Sequence, residues 1–182
     1  SVTIDLVAVD AACSSTVGEF TFTCPEPLPV NDECDGALAL ECGVTIVGTN
    51  DGATASGLEA SCAGYDFEDA QDSFYTFTAN GTSSYTVSLY GLEGSTDFEG
   101  VLFVYSGSCD ELTKVACSDT LMDPHEEVTL DTPVAGTYTV RVFNYENTGN
   151  FTLDLTCIIP PECTPAVIAS STTEETCNPE DG

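Results

Sequence analysis

A hydrophobic period of two, repeated in short segments, is the feature of this sequence that most constrains its fold. At residues 85–90 and 151–157 every second residue is apolar, as in a strand with one buried face. Turn signals rich in Gly, Asn and Asp separate further segments of this kind, and no segment keeps a period of 3.6. Seven or eight short strands predict an all-β fold, an antiparallel sandwich of two sheets. The other strand candidates are 37–48, 73–79, 100–106, 113–117, 127–131 and 137–143.

Proline-rich stretches divide the chain into a central domain and two flanking segments. Residues 25–30 and 158–165 each contain several prolines, which favour stiff and extended connectors. The sandwich is therefore expected between them, at residues 31–157. Outside the connectors, residues 1–24 and 166–182 contain short apolar stretches that predict additional β segments.

Ten cysteines in a chain with one His indicate disulfides rather than a zinc site, because no CxxC pair is present. Disulfides place the chain in an oxidising, extracellular environment. Cys109 and Cys117 flank a short loop between two predicted strands, so we expect them to form a hairpin bridge. The remaining bridging residues are Cys34, Cys42, Cys62 and Cys157 in the central domain, and Cys13, Cys24, Cys163 and Cys177 in the flanking segments.

The four remaining central cysteines allow three pairings, which the sequence leaves open. A Cys42–Cys157 bridge would tie the first strand to the last. Closing so long a loop would remove about 4 to 5 kcal/mol of unfolded-state entropy in the chain-entropy model. The flanking cysteines can pair within each segment or across a junction of the two segments.

The charge of the chain excludes several classes of partner. There are 31 acidic residues and two basic ones, which gives a formal net charge of −29. Such a surface cannot neutralise phosphates, so we expect no nucleic acid, and no apolar run is long enough for membrane insertion. Calcium would relieve the self-repulsion at acidic loops, although a solvated acidic surface explains the same loops. The candidate calcium ligands are Asp32, Asp51, Asp72, Asp97 and Asp119.

A catalytic group is not recognisable in the sequence. His125 is the one histidine and lies in a predicted loop, and no GxSxG elbow frames a nucleophile. Among 31 carboxylates, any glycosidase-like pair is uninformative. The sequence therefore predicts a protein that is not an enzyme.

Five ordered blocks, at 31–43, 48–54, 72–78, 96–119 and 135–157, carry a family resemblance. They include DSFYTFT, TDFEGVLFVYSGSCDELTKVACSD and AGTYTVRVFNYENTGNFTLDLTC. The order resembles the bacterial pre-peptidase C-terminal (PPC) domain, in the cysteine-containing form of secreted and cell-surface proteins of Bacteroidota. The resemblance implies a non-catalytic, jelly-roll-like β-sandwich, attached to secreted hydrolases or repeated in surface proteins.

The two flanking segments complete each other when the tail is placed before the head. Residues 163–182 end on a turn signal, and residues 1–24 open directly on an alternating strand. Joined, they would form a second small β-domain, which resembles the short cysteine-containing β repeats of gliding and adhesion proteins. One face of the first strand, which we expect to self-associate, consists of Val2, Ile4 and Leu6.

Two functions follow as expectations. The first is a repeating structural unit of a surface fibre or adhesin that binds itself head to tail, through covalent repeats or strand exchange between subunits. The alternative is an accessory module of a secreted hydrolase that binds carbohydrate or protein, such as surface glycans.

Overall fold

The computed structural model describes residues 14–17, 20–23, 28–58, 61–66, 70–92, 99–120, 125–145 and 148–161. Within them lie thirteen strands and one short 3-10 turn, Cys34–Gly36. The strands are β1 (Ser14–Val17), β2 (Phe20–Thr23), β3 (Leu38–Ala39), β4 (Thr45–Thr49), β5 (Ser61–Cys62), β6 (Tyr65–Asp66), β7 (Asp72–Ala79), β8 (Ser84–Gly91), β9 (Gly100–Ser106), β10 (Thr113–Ser118), β11 (His125–Leu130), β12 (Gly136–Asn144) and β13 (Asn150–Ile158).

Nine strands form the two sheets of a β-sandwich. The five-stranded sheet has the order β10-β9-β12-β7-β3, and the four-stranded sheet has the order β11-β8-β13-β4. All neighbouring strands are antiparallel except β3 and β7, which pair in parallel. The predicted all-β sandwich is therefore confirmed.

The candidate strand at 37–48 is two strands in the structure. Leu38–Ala39 lies at the edge of one sheet and Thr45–Thr49 at the edge of the other, so residues 40–44 cross from sheet to sheet. Leu40 is buried in the core along this crossing, and Gly43 has a φ of 74°, a backbone conformation that glycine adopts without strain. Apolar residues precede and follow the corner, so the sequence pattern suggested one strand.

The core between the sheets follows from the period of two. Alternate residues of β8, β9, β12 and β13 point between the sheets, and their apolar side chains are almost fully buried. Phe77 stacks between Tyr85 and Tyr138, with ring centroids 5.4 and 5.3 Å apart. Burial of each large apolar side chain contributes about 1.5 to 3 kcal/mol.

A second apolar cluster lies on the outer face of the five-stranded sheet. It consists of Val101, Phe103, Tyr105 and Phe143, together with Cys62. Because both faces of β9 are covered, residues 101–105 are all buried, and the alternation disappears there. The segment that contains β5 and β6 contributes Cys62 to this cluster, and the sequence did not predict those two short strands.

The described residues contain three disulfides. They join Cys34 to Cys109, Cys42 to Cys157 and Cys62 to Cys117. The expected hairpin bridge between Cys109 and Cys117 is therefore wrong. The two residues that flank the loop each bond to a distant segment, so the loop is held by tertiary contacts rather than by a local bridge.

The flanking segments are described only in part. Residues 14–17 and 20–23 form an antiparallel hairpin, in which Val17 pairs with Phe20. The four flanking cysteines, the first strand with Val2, Ile4 and Leu6, and the segment 166–182 lie outside the described residues. The small junction domain and the domain boundaries stay predictions.

Candidate functional site

The chain enters and leaves the sandwich at different ends of β7. Near its start, the Phe74 N–H donates to the Asn31 carbonyl at 2.8 Å, and the Asn31 side chain donates back to the Phe74 carbonyl at 3.2 Å. The last pair of β13 joins Ile158 to Ser84, just after the turn that follows β7. The two connections to the rest of the chain are thus separated by the length of that strand.

A disulfide lies close to each of these two points. Cys34 follows the entering segment by three residues and is bonded to Cys109. Cys157 immediately precedes Ile158 and is bonded to Cys42. The backbone of Cys42 also forms an isolated parallel β-bridge with Leu155. Disulfides of this kind fit an oxidising environment.

The outer face of the five-stranded sheet contains a buried ion pair. Arg141 and Asp72 are both fully buried, and the Arg141 Nε donates to Asp72 Oδ2 at 2.5 Å. Asp72 Oδ2 also accepts from Ser56 Oγ at 2.6 Å, and Arg141 Nη1 donates to the Leu58 carbonyl at 3.1 Å. The pair therefore fastens the segment around residues 56–58 to the sheet. Burial raises the pKa of Asp72, against the opposing charge of Arg141.

Both cations of the chain lie on this outer face. The Arg141 guanidinium is 4.9 Å from the ring centroid of Phe143, and the Lys114 Nζ is 5.9 Å from that of Phe103. Lys114 Nζ also donates to the Ser61 carbonyl at 2.5 Å. The signal in the sequence for this site is the rarity of basic residues, two against 31 acids, which marks each of them as a candidate partner of a buried carboxylate.

The proposed calcium ligands are not brought together in the described part of the chain. Asp32 accepts from the Thr54 backbone N–H at 2.5 Å and from its hydroxyl at 2.9 Å. Asp51 accepts from Thr148 Oγ1 at 3.1 Å, and Asp72 belongs to the buried ion pair. Within the described ranges, no group of three or more His, Cys, Asp or Glu is placed to hold a metal ion.

Asp119, also a proposed calcium ligand, lies in an acidic environment, while Asp97 is outside the described residues. Neither carboxylate oxygen of Asp119 has a hydrogen-bond partner in the part of the chain that is described. Burial and the negative charge of Glu99 raise the pKa of Asp119. Calcium ligation by this residue stays a prediction.

Glu126 lies beside Asp119 and is 1% exposed. It accepts from the Ser118 hydroxyl and, at 2.7 Å, from the Thr120 backbone N–H. Burial raises the pKa of Glu126, the hydrogen bonds oppose this, and the charge of Asp119 adds to it. These two carboxyl groups are therefore easier to protonate than ordinary surface acids.

Among the described residues, exposed and half-exposed aromatic rings form two pairs on the surface. Tyr65 and Tyr145, 40% and 39% exposed, meet edge to face with centroids 5.9 Å apart. Tyr90 stacks on His125 with centroids 4.3 Å apart. His125 was expected in a loop, but it is the first residue of β11, opposite Tyr90 in the strand register.

In the part of the chain that the structure covers, no helix is long and apolar enough to cross a membrane.

Comparisons with solved structures give low sequence identities. The pre-peptidase C-terminal domain of collagenase from Bacillus anthracis is 16% identical, with a TM-score of 0.44, over 66% of this chain and 94% of that chain. Aeromonas hydrophila PliG, a periplasmic inhibitor of g-type lysozyme, is 16% identical, with a TM-score of 0.39, over 66% and 95%. The CBM51-2 and INT domains of Clostridium perfringens ZmpB, in complex with GlcNAc, are 12% identical, with a TM-score of 0.32, over 64% and 29%.

The comparison with protein families concerns the middle of the sandwich. No curated protein sequence matches the chain. A family model matches part of the chain, and the domain that this model describes is a non-catalytic module. Residues 73–144, from β7 to the end of β12, match the family model of the bacterial pre-peptidase C-terminal domain.

Proposed function

We propose that this chain is a non-catalytic, extracellular structural module and serves as a repeating unit of a cell-surface fibre or adhesin. The observation that supports this most directly is the position of the two connections, at Asn31–Phe74 and Ile158–Ser84, near different ends of β7. A domain with this arrangement can be placed in series with its neighbours, whereas adjacent connections would make it a side branch. The disulfides and the net charge of −29 suit an exposed, soluble surface structure.

The join between units is assigned to the flanking segments. An alternating strand at residues 2–9 needs a partner for its backbone groups and its apolar face, and secreted proteins normally cover such strands. Pairing with the tail of a neighbouring unit repeats without closing, and the product is a filament.

The test compares the mass of the reduced, denatured protein with electron micrographs of native material. Filaments built from a 19.0 kDa chain would indicate strand exchange between subunits. Replacing Val2, Ile4 and Leu6 together by Asp should abolish the filaments, whereas Thr3→Asp, on the other face, should leave them. A far larger mass would indicate covalent tandem repeats, whereas a 19.0 kDa chain that stays monomeric at high concentration would overturn the proposal.

Calcium is proposed as a ligand of the acidic loops. Asp119 lies with both carboxylate oxygens buried, near Glu99 and Glu126, where a divalent cation would lower the electrostatic repulsion. Millimolar Ca²⁺ should then raise the melting temperature, and Asp97→Asn with Asp119→Asn should remove the increase. A melting temperature unchanged by chelation and re-addition would reject calcium.

The alternative function is an accessory module that binds carbohydrate or protein. The exposed pair of Tyr65 and Tyr145 supports it, since aromatic faces are common surfaces for ligand contact. Binding to an insoluble polysaccharide or to a glycan array, lost in Tyr65→Ala with Tyr145→Ala, would favour this function. A chain that binds no glycan and forms filaments would exclude it.

A further inference from the structure

We propose that the Cys42–Cys157 disulfide is a mechanical strap, which carries tension past the sandwich from one neighbouring domain to the next. The inference rests on the proposed end-to-end arrangement, in which pulling forces reach the sandwich at Asn31 and leave it at Ile158. The bridge then transmits force between neighbouring domains, in addition to stabilising the fold.

The Cys42–Cys157 bridge lies on the shortest covalent path between the two points. From Asn31 the chain runs to Cys42, crosses the disulfide to Cys157, and reaches Ile158 one residue later. The bridge spans 115 residues of sequence, which hold β4 to β12 and most of β13. Tension therefore passes around these strands, and they carry no sustained load.

The path leaves only a short piece of chain that can be stretched. Asn31 and Cys42 are about 11 residues apart, which at full extension span about 40 Å. This piece is held by the two hydrogen bonds to Phe74, by the contacts of Asp32 with Thr54, and by the two-residue strand β3. Those contacts can break and form again while the rest of the sandwich stays folded.

A second bridge defines a longer path if the strap opens. From Asn31, tension would then pass through Cys34 and Cys109, and about 50 residues could be extended, roughly 180 Å. With every disulfide reduced, about 127 residues could be extended, roughly 440 Å. The Cys62–Cys117 bridge lies on neither of the two shorter paths, so it provides a matched control.

The experiment stretches single molecules of the full chain, held at their two ends by thiol-free handles. The flanking segments add the same length in every variant, so differences between variants report on the sandwich. Cys42→Ser with Cys157→Ser should extend about 140 Å further than the natural sequence before the chain is taut. Cys62→Ser with Cys117→Ser should show no increase, and neither should Cys34→Ser with Cys109→Ser.

A second measurement needs no substitution and covers the case in which the Cys42/Cys157 variant fails to fold. A reductant added to the natural chain under constant tension should release about 140 Å from the sandwich in one step, because within the sandwich the force acts on the Cys42–Cys157 bridge alone. Bridges within the flanking segments would enclose about 11 or 14 residues and give steps of at most about 50 Å, so the two kinds of step are distinguishable. The rate of the 140 Å step should rise with the applied force. A record without that step, or equal extension of the natural chain and the Cys42/Cys157 variant, would overturn the strap.

The outcome of the stretching experiment can be distinguished from the outcome of the filament experiment. Filaments without the length difference would reject the strap alone, and the length difference in a chain that forms no filaments would reject the fibre.

Discussion

The two faces of the five-stranded sheet are both buried, but they are buried in different ways. Along β12, Val140 and Val142 point between the sheets and contact apolar side chains. Arg141 and Phe143 alternate with them on the outer face, where the Arg141 side chain is as completely buried as the valines. The inner face is closed by a second sheet, whereas the outer face is closed by an irregular segment around residues 53–66.

The difference lies in what keeps each face closed. Apolar packing is non-directional, and volume-conserving changes in such a core usually cost little. On the outer face, the covering segment is held by hydrogen bonds to a buried ion pair, by a lysine and by a disulfide, all of which need specific partners. A change to one member of the ion pair leaves the other charge buried without its counter-charge. At the ion pair, the outer face should therefore be sensitive to single substitutions and tolerant of the paired one.

The largest effect is expected for Arg141→Leu. Removal of the guanidinium leaves the buried Asp72 carboxylate without its counter-charge, and broken buried pairs cost about 3 to 5 kcal/mol of unfolding free energy. Val140→Ala, the adjacent position on the inner face, should cost about 2 kcal/mol. Denaturant unfolding at neutral pH compares the two.

A double variant and a change of pH both test whether the unpaired buried charge causes this loss of stability. Asp72→Leu combined with Arg141→Leu should regain most of the lost stability, because no charge is then buried unpaired. In Arg141→Leu alone, burial raises the pKa of Asp72 without the opposing charge of Arg141, so the defect should shrink as the pH falls through that pKa. Additive losses in the double variant would show that the two residues are not coupled.

The next effect concerns the disulfide of the covering segment. Cys62→Ser with Cys117→Ser should cost about 2 to 4 kcal/mol, since it opens a loop of 55 residues. Backbone amides of residues 61–66 should exchange with solvent faster than those of β12. Cys42→Ser with Cys157→Ser should not produce this local change. If exchange increased equally in both regions, the outer face would not open as a separate unit.

The same contrast explains what could be predicted from the sequence. The inner core depends on a period of two, which is local, and the strand predictions at 73–79, 100–106 and 137–143 are confirmed within one residue. The outer cluster depends on contacts between residues far apart in the chain, such as Asp72 with Arg141. Periodicity carries no information on such pairs.

The predicted Cys109–Cys117 pairing is wrong for a related reason. Cys109 and Cys117 are close in sequence, but each lies nearer in space to a partner from an earlier segment, Cys34 or Cys62. Cysteine spacing limits the possible pairings and does not choose among them. The proposed calcium ligands illustrate the same limit, since Asp32 and Asp72 accept hydrogen bonds inside the fold. A carboxylate in a loop sequence does not reveal whether its partner is a metal or a neighbouring segment.

Substitution in the acidic pair Glu126 and Asp119 is expected to have a smaller effect on stability, opposite in sign to the losses described above. Both have a pKa raised mainly by burial, so the folded state binds their protons more tightly than the unfolded state. Their contribution is fully present below the unfolded pKa, near 4.5 for Glu126, and is lost as the pH rises through the raised value. Glu126→Gln should flatten the fall in stability between acid and neutral pH, whereas Glu127→Gln, a change at an exposed neighbour, should leave the slope as it is. A steeper dependence in Glu126→Gln would contradict this assignment.

The smallest effect is expected for Lys114→Met, which tests whether the outer face needs both cations. Lys114 is exposed, so its contact with the Phe103 ring and its hydrogen bond to the Ser61 carbonyl compete with water. Exposed cation–π pairs contribute about 0.5 to 1 kcal/mol, and Met keeps the apolar stem of the side chain on the ring. The loss of unfolding free energy should therefore be below about 1 kcal/mol, and it should be smaller at high salt concentration. A loss as large as that of Arg141→Leu would mean that the covering segment is held mainly at its disulfide end, because Ser61 precedes Cys62, and that the buried ion pair is secondary.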